Sequence, residues 1–107
     1  MFIPERGDVV WLSFEPQKGK EIQKTRPAVV LTPSKYNLKS GFALFVPITS
    51  QIKGYPFEVI IRSKQINGAV LCDQVRSMDW RARKATKILS LDKNVTENIL
   101  SKIKLLL

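Results

Sequence analysis

The residue types in this chain that could act on a substrate are arginine, lysine, carboxylate and hydroxyl side chains. The chain contains no histidine and a single cysteine, which leaves no His/Cys metal site and no Ser–His or Cys–His nucleophile. A Mg²⁺ site built from carboxylates alone would need clustered acids, and the sequence shows none. An enzyme of this composition would work on phosphates with its own side chains, so we expect no metal and no cofactor.

Arg26 is the first candidate, because it ends a basic loop and directly precedes an apolar strand. The loop covers residues 15–26, and the predicted strand is Pro27–Leu31. A guanidinium anchored where a strand begins is well held, and its planar fork matches a phosphate through two hydrogen bonds. The alternative is an ion pair between Arg26 and a carboxylate at the rim of the fold, since such pairs are common.

A second patch combines hydroxyl groups with an amide where a strand opens into a loop, at Pro47–Gln51. Thr49, Ser50 and Gln51 could line a phosphate or oxyanion site. On spacing alone we favour the alternative, in which hydroxyl groups at a strand end satisfy nearby backbone groups.

The third patch is the densest basic stretch of the chain and comprises Asp73–Arg76 and Trp80–Lys84. Arginine and lysine beside an aromatic ring suit a single-stranded nucleic acid, because phosphate pairing and base stacking are then available together. The alternative is a solvated surface turn, and for Trp80 itself we favour packing into the core or a subunit interface.

The charge balance favours a polyanionic partner, although an ordinary basic domain would look similar. Eighteen Lys and Arg against nine Asp and Glu give a net charge of +9. The 107 residues, 44% of them hydrophobic, fit one domain over residues 1–107 with a modest core that dimerisation would help to stabilise. Met1–Arg6 is not followed by the apolar segment of a signal peptide, and no apolar run approaches the roughly 20 residues of a membrane span, so we expect a cytoplasmic protein without a membrane contact.

Short strands separated by turns must position these patches. The pattern predicts strands at Val9–Phe14, Pro27–Leu31, Phe42–Val46, Phe57–Ile61, Ala69–Val75 and Lys87–Leu91, loops over residues 15–26, 34–41 and 49–56, and a turn at Asn67–Gly68. Pro47 is predicted to mark a strand end or a sheet edge, and Cys72 to be a small buried hydrophobe within a strand. Strands this short and evenly spaced favour a small barrel or sandwich over a βαβ sheet.

The last part of the chain changes to helical spacing from Asn94. An apolar face is formed by Val95, Ile99, Ile103 and Leu106, and it is widened by Leu100 and Leu107. The helix is capped either by Asn94, which has Glu97 three residues later, or by Asp92. We therefore predict a β-barrel with an amphipathic C-terminal helix laid against it.

Six motifs follow one another along nearly the whole chain. They are Gly7–Trp11, Gly19-x-Glu21-x4-Arg26-Pro27 running on to Leu31, Val46–Ser50, Lys53–Val59, Asp73–Ser77 and Trp80–Arg83. In this order they resemble the MazF/PemK family of toxin–antitoxin endoribonucleases. The resemblance implies a mainly β fold with α (an α+β fold), in which a small SH3-like barrel of the CcdB/MazF type carries a C-terminal helix and assembles as a homodimer.

The resemblance also implies an activity, the cleavage of single-stranded RNA, chiefly mRNA, at short sequence motifs without a metal. The ribose 2′-OH would attack and leave a 2′,3′-cyclic phosphate and a 5′-OH. Arg26 and Thr49 match the family's catalytic pair. Arg26 would bind the scissile phosphate and could protonate the leaving oxygen, although a guanidinium holds its proton strongly and makes a poor acid. Glu21 would accept the 2′-OH proton or orient Arg26, and we favour the second role.

Further residues are candidates for RNA contacts on the same surface. They are Lys18, Lys20, Lys24, Ser50, Gln51, Lys53, Tyr55, Gln74, Arg76 and Arg83. The family also implies a cognate antitoxin whose acidic, flexible C-terminal segment occupies the RNA groove, which the positive charge would favour. Ser13, in place of an acid found in some relatives, and the apolar Ile22 depart from the family pattern, so no relative's RNA sequence preference is carried over.

Two other functions stay open for this fold. A CcdB-like toxin would bind DNA gyrase without nuclease activity and would not need the Arg26 and Thr49 arrangement. A non-catalytic SH3-like module would bind RNA electrostatically and leave it intact. Charge and composition do not separate these functions, and the motif series favours the nuclease.

Overall fold

The computed structural model describes residues 2–14 and 24–107, which form seven strands and two helices. The strands are β1 (Asp8–Phe14), β2 (Lys24–Val30), β3 (Phe42–Thr49), β4 (Glu58–Arg62), β5 (Asn67–Leu71), β6 (Arg76–Asp79) and β7 (Thr86–Ser90), and the helices are α1 (Ser34–Ser40) and α2 (Lys93–Leu105). Within the described ranges, neither helix is long and apolar enough to cross a membrane.

The strands form one curled antiparallel sheet in the order β4-β5-β3-β2-β1-β7. β6 lies off this path and pairs with the first half of β3, from Phe42 to Phe45, whereas β5 pairs with its end at Ile48 and Thr49. The sheet closes to a half-barrel that carries α2. The prediction of a small β-barrel with a C-terminal helix is therefore confirmed.

Alternation along the central strands buries apolar side chains on both faces of the sheet. Val29 and Val46 belong to one core cluster, which α2 covers with Ile99, whereas Val30 and Phe45 belong to a second cluster on the opposite face. Because neighbouring residues of a strand point to opposite faces, this pattern requires the near-continuous apolar runs seen in β2 and β3. Arg26 and Thr49 thus stand on two strands, β2 and β3, that are packed on both faces.

The C-terminal helix begins at Lys93, with Asp92 in the N-cap position. The predicted cap at Asn94 is wrong, and the Asp92 side chain makes no capping hydrogen bond. Ile99 is fully buried and Val95, Leu100 and Ile103 pack against the same core, as the spacing predicts. Leu106 and Leu107 lie beyond the helix end and are 58% and 97% exposed, so their predicted place on the apolar face is wrong.

The predicted loop over residues 34–41 is wrong, because Ser34–Ser40 forms helix α1. The helix lies between Pro33 and Gly41, and Gly41 ends it with a φ of 78°. Asn37 is its buried residue, and it donates hydrogen bonds to the carbonyl oxygens of Pro4 and Thr32. A helix held by one polar residue shows no apolar periodicity in the sequence.

The predicted turn at Asn67–Gly68 is also wrong, because these residues begin β5 and pair with Arg62 and Ile61 of β4. The hairpin turn lies over residues 63–66, where the Ser63 hydroxyl donates to the Ile66 carbonyl oxygen at 2.8 Å. A Cβ added at Gly68 would collide with the Thr49 carbonyl oxygen. Glycine is therefore needed here for the close approach of two strands, not for a turn.

The predicted strand Ala69–Val75 is interrupted, since β5 ends at Leu71 and β6 begins at Arg76. The chain turns between them, where the Gln74 N–H donates to the Leu71 carbonyl oxygen at 3.1 Å. Cys72 is fully buried as predicted, but it lies in this turn and not in a strand.

Two predicted strand limits next to the candidate site differ from the structure. β2 begins at Lys24, so the last residues of the predicted loop 15–26 belong to the strand. β3 continues through Pro47 to Thr49, so Pro47 marks neither a strand end nor a sheet edge. Pro47 lies where the partner on one side of β3 changes from β6 to β5, and a residue without an N–H is tolerated at such an interruption.

Candidate active site

Arg26 and Thr49 are brought together by the pairing of β2 with β3. These strands are antiparallel neighbours, with Val29 opposite Val46 and Ala28 opposite Pro47. Continuing this register by two residues brings Arg26 level with Thr49. Both side chains line a cavity of about 460 Å³, which we call the central cavity.

Two smaller cavities adjoin the central cavity and share its lining residues. The β6 cavity, of about 270 Å³, shares Arg26, Pro27, Pro47 and Gln74 with it. The loop cavity, of about 170 Å³, shares Thr49, Leu71 and Gln74 with it. We call these three cavities together the groove. Gln74 lines all three, so it lies at the junction of the groove.

Most described candidates for RNA contacts lie in the groove. Ser50 lines the central cavity, Arg76 lines the β6 cavity, and Gln51, Lys53 and Tyr55 line the loop cavity. The structure therefore places residues from the second and third sequence patches on one surface, although 25 positions separate Thr49 from Gln74.

Other candidates lie elsewhere or outside the described residues. Lys18, Lys20 and Glu21 fall outside residues 2–14 and 24–107, and of Lys24 the structure describes the backbone, as the first residue of β2. Arg83 lies in the turn between β6 and β7, and its carbonyl oxygen accepts a hydrogen bond from the Ser13 N–H at 2.7 Å. Arg83 lines none of the three cavities of the groove.

Thr49 is held by its position as the last residue of β3. Its hydroxyl oxygen accepts a hydrogen bond from the Gln51 N–H at 3.1 Å. The predicted alternative for this patch, in which a hydroxyl group satisfies a nearby backbone group, is thus seen at Thr49. Because a hydroxyl that accepts one bond still carries its own hydrogen, Thr49 can also donate into the central cavity.

Trp80 belongs to the core, as predicted. It is 3% exposed, and its indole Nε1–H donates to the Asn37 carbonyl oxygen at 2.9 Å. The Arg81 guanidinium lies over the ring at 4.8 Å from its centroid. Trp80 therefore anchors the basic turn that follows it and offers no face for base stacking.

Sequence reasoning missed several lining residues because their roles depend on the fold. Trp11 is 39% exposed on β1 and lines the central cavity, and Asn67 joins it from β5. Glu58 is 8% exposed and lines the loop cavity. An acid at the start of an apolar strand, as in Glu58–Ile61, was the signal available for Glu58.

Among the described residues that line the groove, three are cationic, Arg26, Arg76 and Lys53, and one is acidic, Glu58. Burial raises the pKa of the Cys72 thiol to about 11, so this thiol is protonated at neutral pH and is not a nucleophile. Within residues 2–14 and 24–107, no three His, Cys, Asp or Glu side chains cluster so as to hold a metal ion.

Known proteins resemble this chain over most of its length. The model of a family described as PemK-like, MazF-like toxin of type II toxin–antitoxin system matches residues 5–107. The endoribonuclease toxin MazF of Escherichia coli K12 is 52% identical over 86 residues, which is 80% of this chain and 78% of that protein. The E. coli endoribonuclease toxin ChpB is 38% identical over 103 residues, covering 90% of this chain and 88% of that protein.

A solved structure agrees with the fold as well as with the sequence. The crystal structure of MazE–MazF from Deinococcus radiodurans superposes on this chain with a TM-score of 0.92 at 40% identity, covering 99% of this chain and 96% of that one. Because the family model spans nearly the whole sequence, this chain belongs to the PemK-like, MazF-like family of type II toxin–antitoxin toxins.

Proposed function

We propose that this protein is an endoribonuclease toxin that cleaves single-stranded RNA in the groove without a metal ion. The observation that carries the proposal is that Arg26 and Thr49, on neighbouring antiparallel strands, line one cavity. The proposal is supported by relatives that are named endoribonuclease toxins, among them MazF and ChpB of E. coli.

The reaction transfers the phosphoryl group within the RNA, from the 5′-oxygen of one nucleotide to the 2′-oxygen of the nucleotide before it. The ribose 2′-oxygen loses its proton and attacks the adjacent phosphorus, and the bond from phosphorus to the 5′-oxygen breaks. The products are a 2′,3′-cyclic phosphate and a 5′-OH, so no water enters this step. The site must stabilise negative charge on the phosphate oxygens, accept one proton and donate one.

Arg26 and Thr49 supply the stabilisation of charge. Arg26 presents donors in a planar fork that fits two phosphate oxygens, and its charge opposes the charge that develops in the transition state. Thr49 donates its hydroxyl hydrogen to a phosphate oxygen, while the Gln51 N–H fixes the orientation of its oxygen. Both residues stand on strands in the centre of the sheet, so they are oriented before the RNA binds.

Two proton transfers complete the reaction, one away from the 2′-OH and one to the leaving 5′-oxygen. We favour Glu21 as the residue that orients Arg26, with acceptance of the 2′-OH proton as its alternative role. Arg26 is the cation closest to the reacting phosphate in this proposal, but a guanidinium holds its proton strongly and is a poor general acid.

The RNA path runs from the central cavity toward the other two cavities. Gln74 contacts the strand at the junction, and Arg76 binds a phosphate in the β6 cavity. In the loop cavity Tyr55 stacks on Phe57, with 5.2 Å between ring centroids and 25° between planes, so the pair offers an aromatic surface beside Gln51 and Lys53. Aromatic rings beside cations suit unpaired bases and their phosphates.

The same groove suits an antitoxin. MazF of D. radiodurans is found in a complex with MazE, and we propose that this chain binds a cognate antitoxin whose acidic C-terminal segment enters the groove. An acidic peptide would compete with RNA for Arg26 and Arg76. We also propose that the protein is a homodimer and that it meets mRNA in the cytoplasm.

The test is to incubate the purified protein with a long unstructured RNA in excess EDTA and to map the ends of the products. The proposal predicts discrete cuts, each leaving a 2′,3′-cyclic phosphate and a 5′-OH. An oligonucleotide carrying one 2′-deoxyribose at a mapped cut site should bind and stay intact, because the attacking oxygen is missing.

Three outcomes would count against parts of the proposal. Cleavage of the 2′-deoxy oligonucleotide would rule out attack by the 2′-oxygen, and activity lost in EDTA and restored by Mg²⁺ would rule out metal independence. RNA that stays intact in the presence of folded protein would reject the nuclease function and favour the alternative, a CcdB-like toxin that binds DNA gyrase.

A further inference from the structure

Glu58, at the start of β4, places a carboxylate where an apolar strand begins. The residue is 8% exposed, and burying a carboxylate is unfavourable unless it is hydrogen-bonded. Its oxygens accept from the main chain of the preceding loop. The Gly54 N–H lies 2.9 Å from Oε1, and the Lys53 N–H lies 3.2 Å from Oε1 and 3.4 Å from Oε2.

The loop from Gln51 to Phe57, which we call the anchored loop, is tied down at its second half too. The Glu58 N–H donates to the Tyr55 carbonyl oxygen at 3.0 Å, and Lys102 of α2 donates from Nζ to the Pro56 carbonyl oxygen at 2.7 Å. Gly54 has a φ of 78°, a conformation that glycine adopts without strain. The Glu58 carboxylate thus fixes the turn of this loop by accepting hydrogen bonds from the main chain of Lys53 and Gly54.

The anchored loop forms one side of the loop cavity. Gln51, Lys53 and Tyr55 reach the cavity from the loop, whereas Thr49 and Gln74 line both this cavity and the central cavity. A shift of the main chain at Lys53–Gly54 would therefore move the side chains offered to RNA and leave Arg26, on β2, in place.

We propose that Glu58 is a positioning residue for RNA binding, whose carboxylate holds the main chain at Lys53–Gly54 and so keeps Lys53 and Tyr55 at the rim of the loop cavity. This inference rests on the proposed function, because it assigns a role within the proposed RNA groove. Glu58 does not touch the reacting atoms, so its loss weakens RNA binding and leaves the chemical step at its normal rate.

The charge of Glu58 is not what the loop requires. A negative charge beside an RNA path repels phosphate, whereas the two N–H groups need an acceptor. Both of them reach Oε1, and the carbonyl oxygen of a glutamine can accept two hydrogen bonds. Glu58→Gln should therefore preserve the loop, and Glu58→Met, which has a similar volume and no comparable acceptor, should release it.

The experiment measures kcat and KM for an RNA oligonucleotide carrying a mapped cut site, together with the Kd of its all-deoxy counterpart. We expect Glu58→Met to raise KM and Kd about tenfold and to leave kcat within about twofold. Glu58→Gln should stay within about threefold of the wild type in all three quantities. In Glu58→Asp the carboxylate lies one methylene farther from the loop, so this variant should resemble Glu58→Met. It replaces Glu58→Met in the experiment if that variant does not fold.

A buried carboxylate outside the groove provides the matched control. Asp8 is 4% exposed and accepts from the Glu5 N–H and the Ser90 hydroxyl. Asp8→Asn should lower the melting temperature and leave KM unchanged. If Glu58→Met behaved in the same way, Glu58 would be merely structural and the inference would be overturned.

Two further outcomes also decide the inference. In a Lys53→Ala/Tyr55→Ala background the substitution Glu58→Met should have little further effect on Kd, and full additivity would contradict positioning through these side chains. If Glu58→Gln bound as weakly as Glu58→Met, the acceptor account would be wrong. A wild-type protein that cleaves no RNA would reject the proposed function, while the Kd for the deoxy oligonucleotide would still test Glu58.

Discussion

Arg26 and Thr49 stand on the neighbouring antiparallel strands β2 and β3, each two residues beyond the paired Ala28 and Pro47, and they line the same cavity. They are separated by 23 positions in the sequence, and the pairing of β2 with β3 brings them to one cavity. The strands that carry them are buried through Val29 and Val46 just inside the site. A phosphate bound between the two side chains would thus meet donors fixed by the core of the sheet.

Replacing Thr49 by valine tests the hydroxyl group. We expect Thr49→Val to lower kcat by about 10²-fold, the usual cost of removing one donor to developing charge. The lost acceptor for the Gln51 N–H should cost about 1 kcal/mol of stability. Thr86→Val, at an exposed position of β7, is the control and should leave kcat unchanged. An unaltered kcat in Thr49→Val would remove Thr49 from the catalytic site.

Replacing Arg76 by alanine tests the proposed RNA path through the β6 cavity. If the Arg76 guanidinium neutralises one phosphate, Arg76→Ala should reduce the slope of log K against log salt by about 0.7 for single-stranded RNA. The measurement is the Kd of a non-cleavable oligonucleotide over a series of salt concentrations. Lys104→Ala, at an exposed position of α2, should leave the slope unchanged, and equal slopes for wild type and Arg76→Ala would place the RNA elsewhere.

Replacing Asn37 by alanine tests the polar network that ties α1 to Pro4 and Thr32. The Asn37 side chain accepts from the Thr32 hydroxyl at 2.6 Å and donates to the Pro4 and Thr32 carbonyl oxygens at 2.8 and 2.9 Å. Asn37→Ala leaves these buried groups without partners and should lower the free energy of unfolding by about 3 kcal/mol. In urea unfolding the exposed control Asn94→Ala should change it by less than about 0.5 kcal/mol, and similar effects of both variants would contradict the network's role.

Cys72 makes stability depend on pH in the alkaline range. Its thiol pKa is raised by burial from the ordinary 9.0 to about 11, so the unfolded chain ionises at a pH where the folded chain does not. The stability contributed by the neutral thiol is full below pH 9 and is lost as the pH rises toward 11. Urea unfolding from pH 8 to 11 should show a steeper loss for the wild type than for Cys72→Ala. Parallel profiles would contradict the raised pKa.

The sequence was sufficient to predict elements with a strong apolar period. Val95 and Ile99 mark α2, and the apolar runs before Leu31 and Val46 mark two central strands. These residues pack directly into the core, so their spacing reflects the structure that buries them. The proposed catalytic pair follows from the motif series alone, since no local pattern relates Arg26 to Thr49.

The elements that were predicted wrongly depend on contacts distant in sequence. Helix α1 is fastened through Asn37 to Pro4, and Gly68 is required by the approach of Thr49. Glu58 escaped prediction for the same reason, because its role depends on the main chain of Lys53 and Gly54 folding back over it. A propensity for turn or loop was outweighed in each case by tertiary packing.

The most direct test of the account is the single-turnover cleavage rate of Arg26→Ala on an RNA oligonucleotide in excess EDTA. The matched control is Arg62→Ala. Arg62 is an exposed arginine on β4 that lines none of the three cavities of the groove. The account predicts a loss of at least about 10³-fold for Arg26→Ala, with the fold retained and Arg62→Ala unchanged. Cleavage by folded Arg26→Ala at the wild-type rate would contradict the proposed active site.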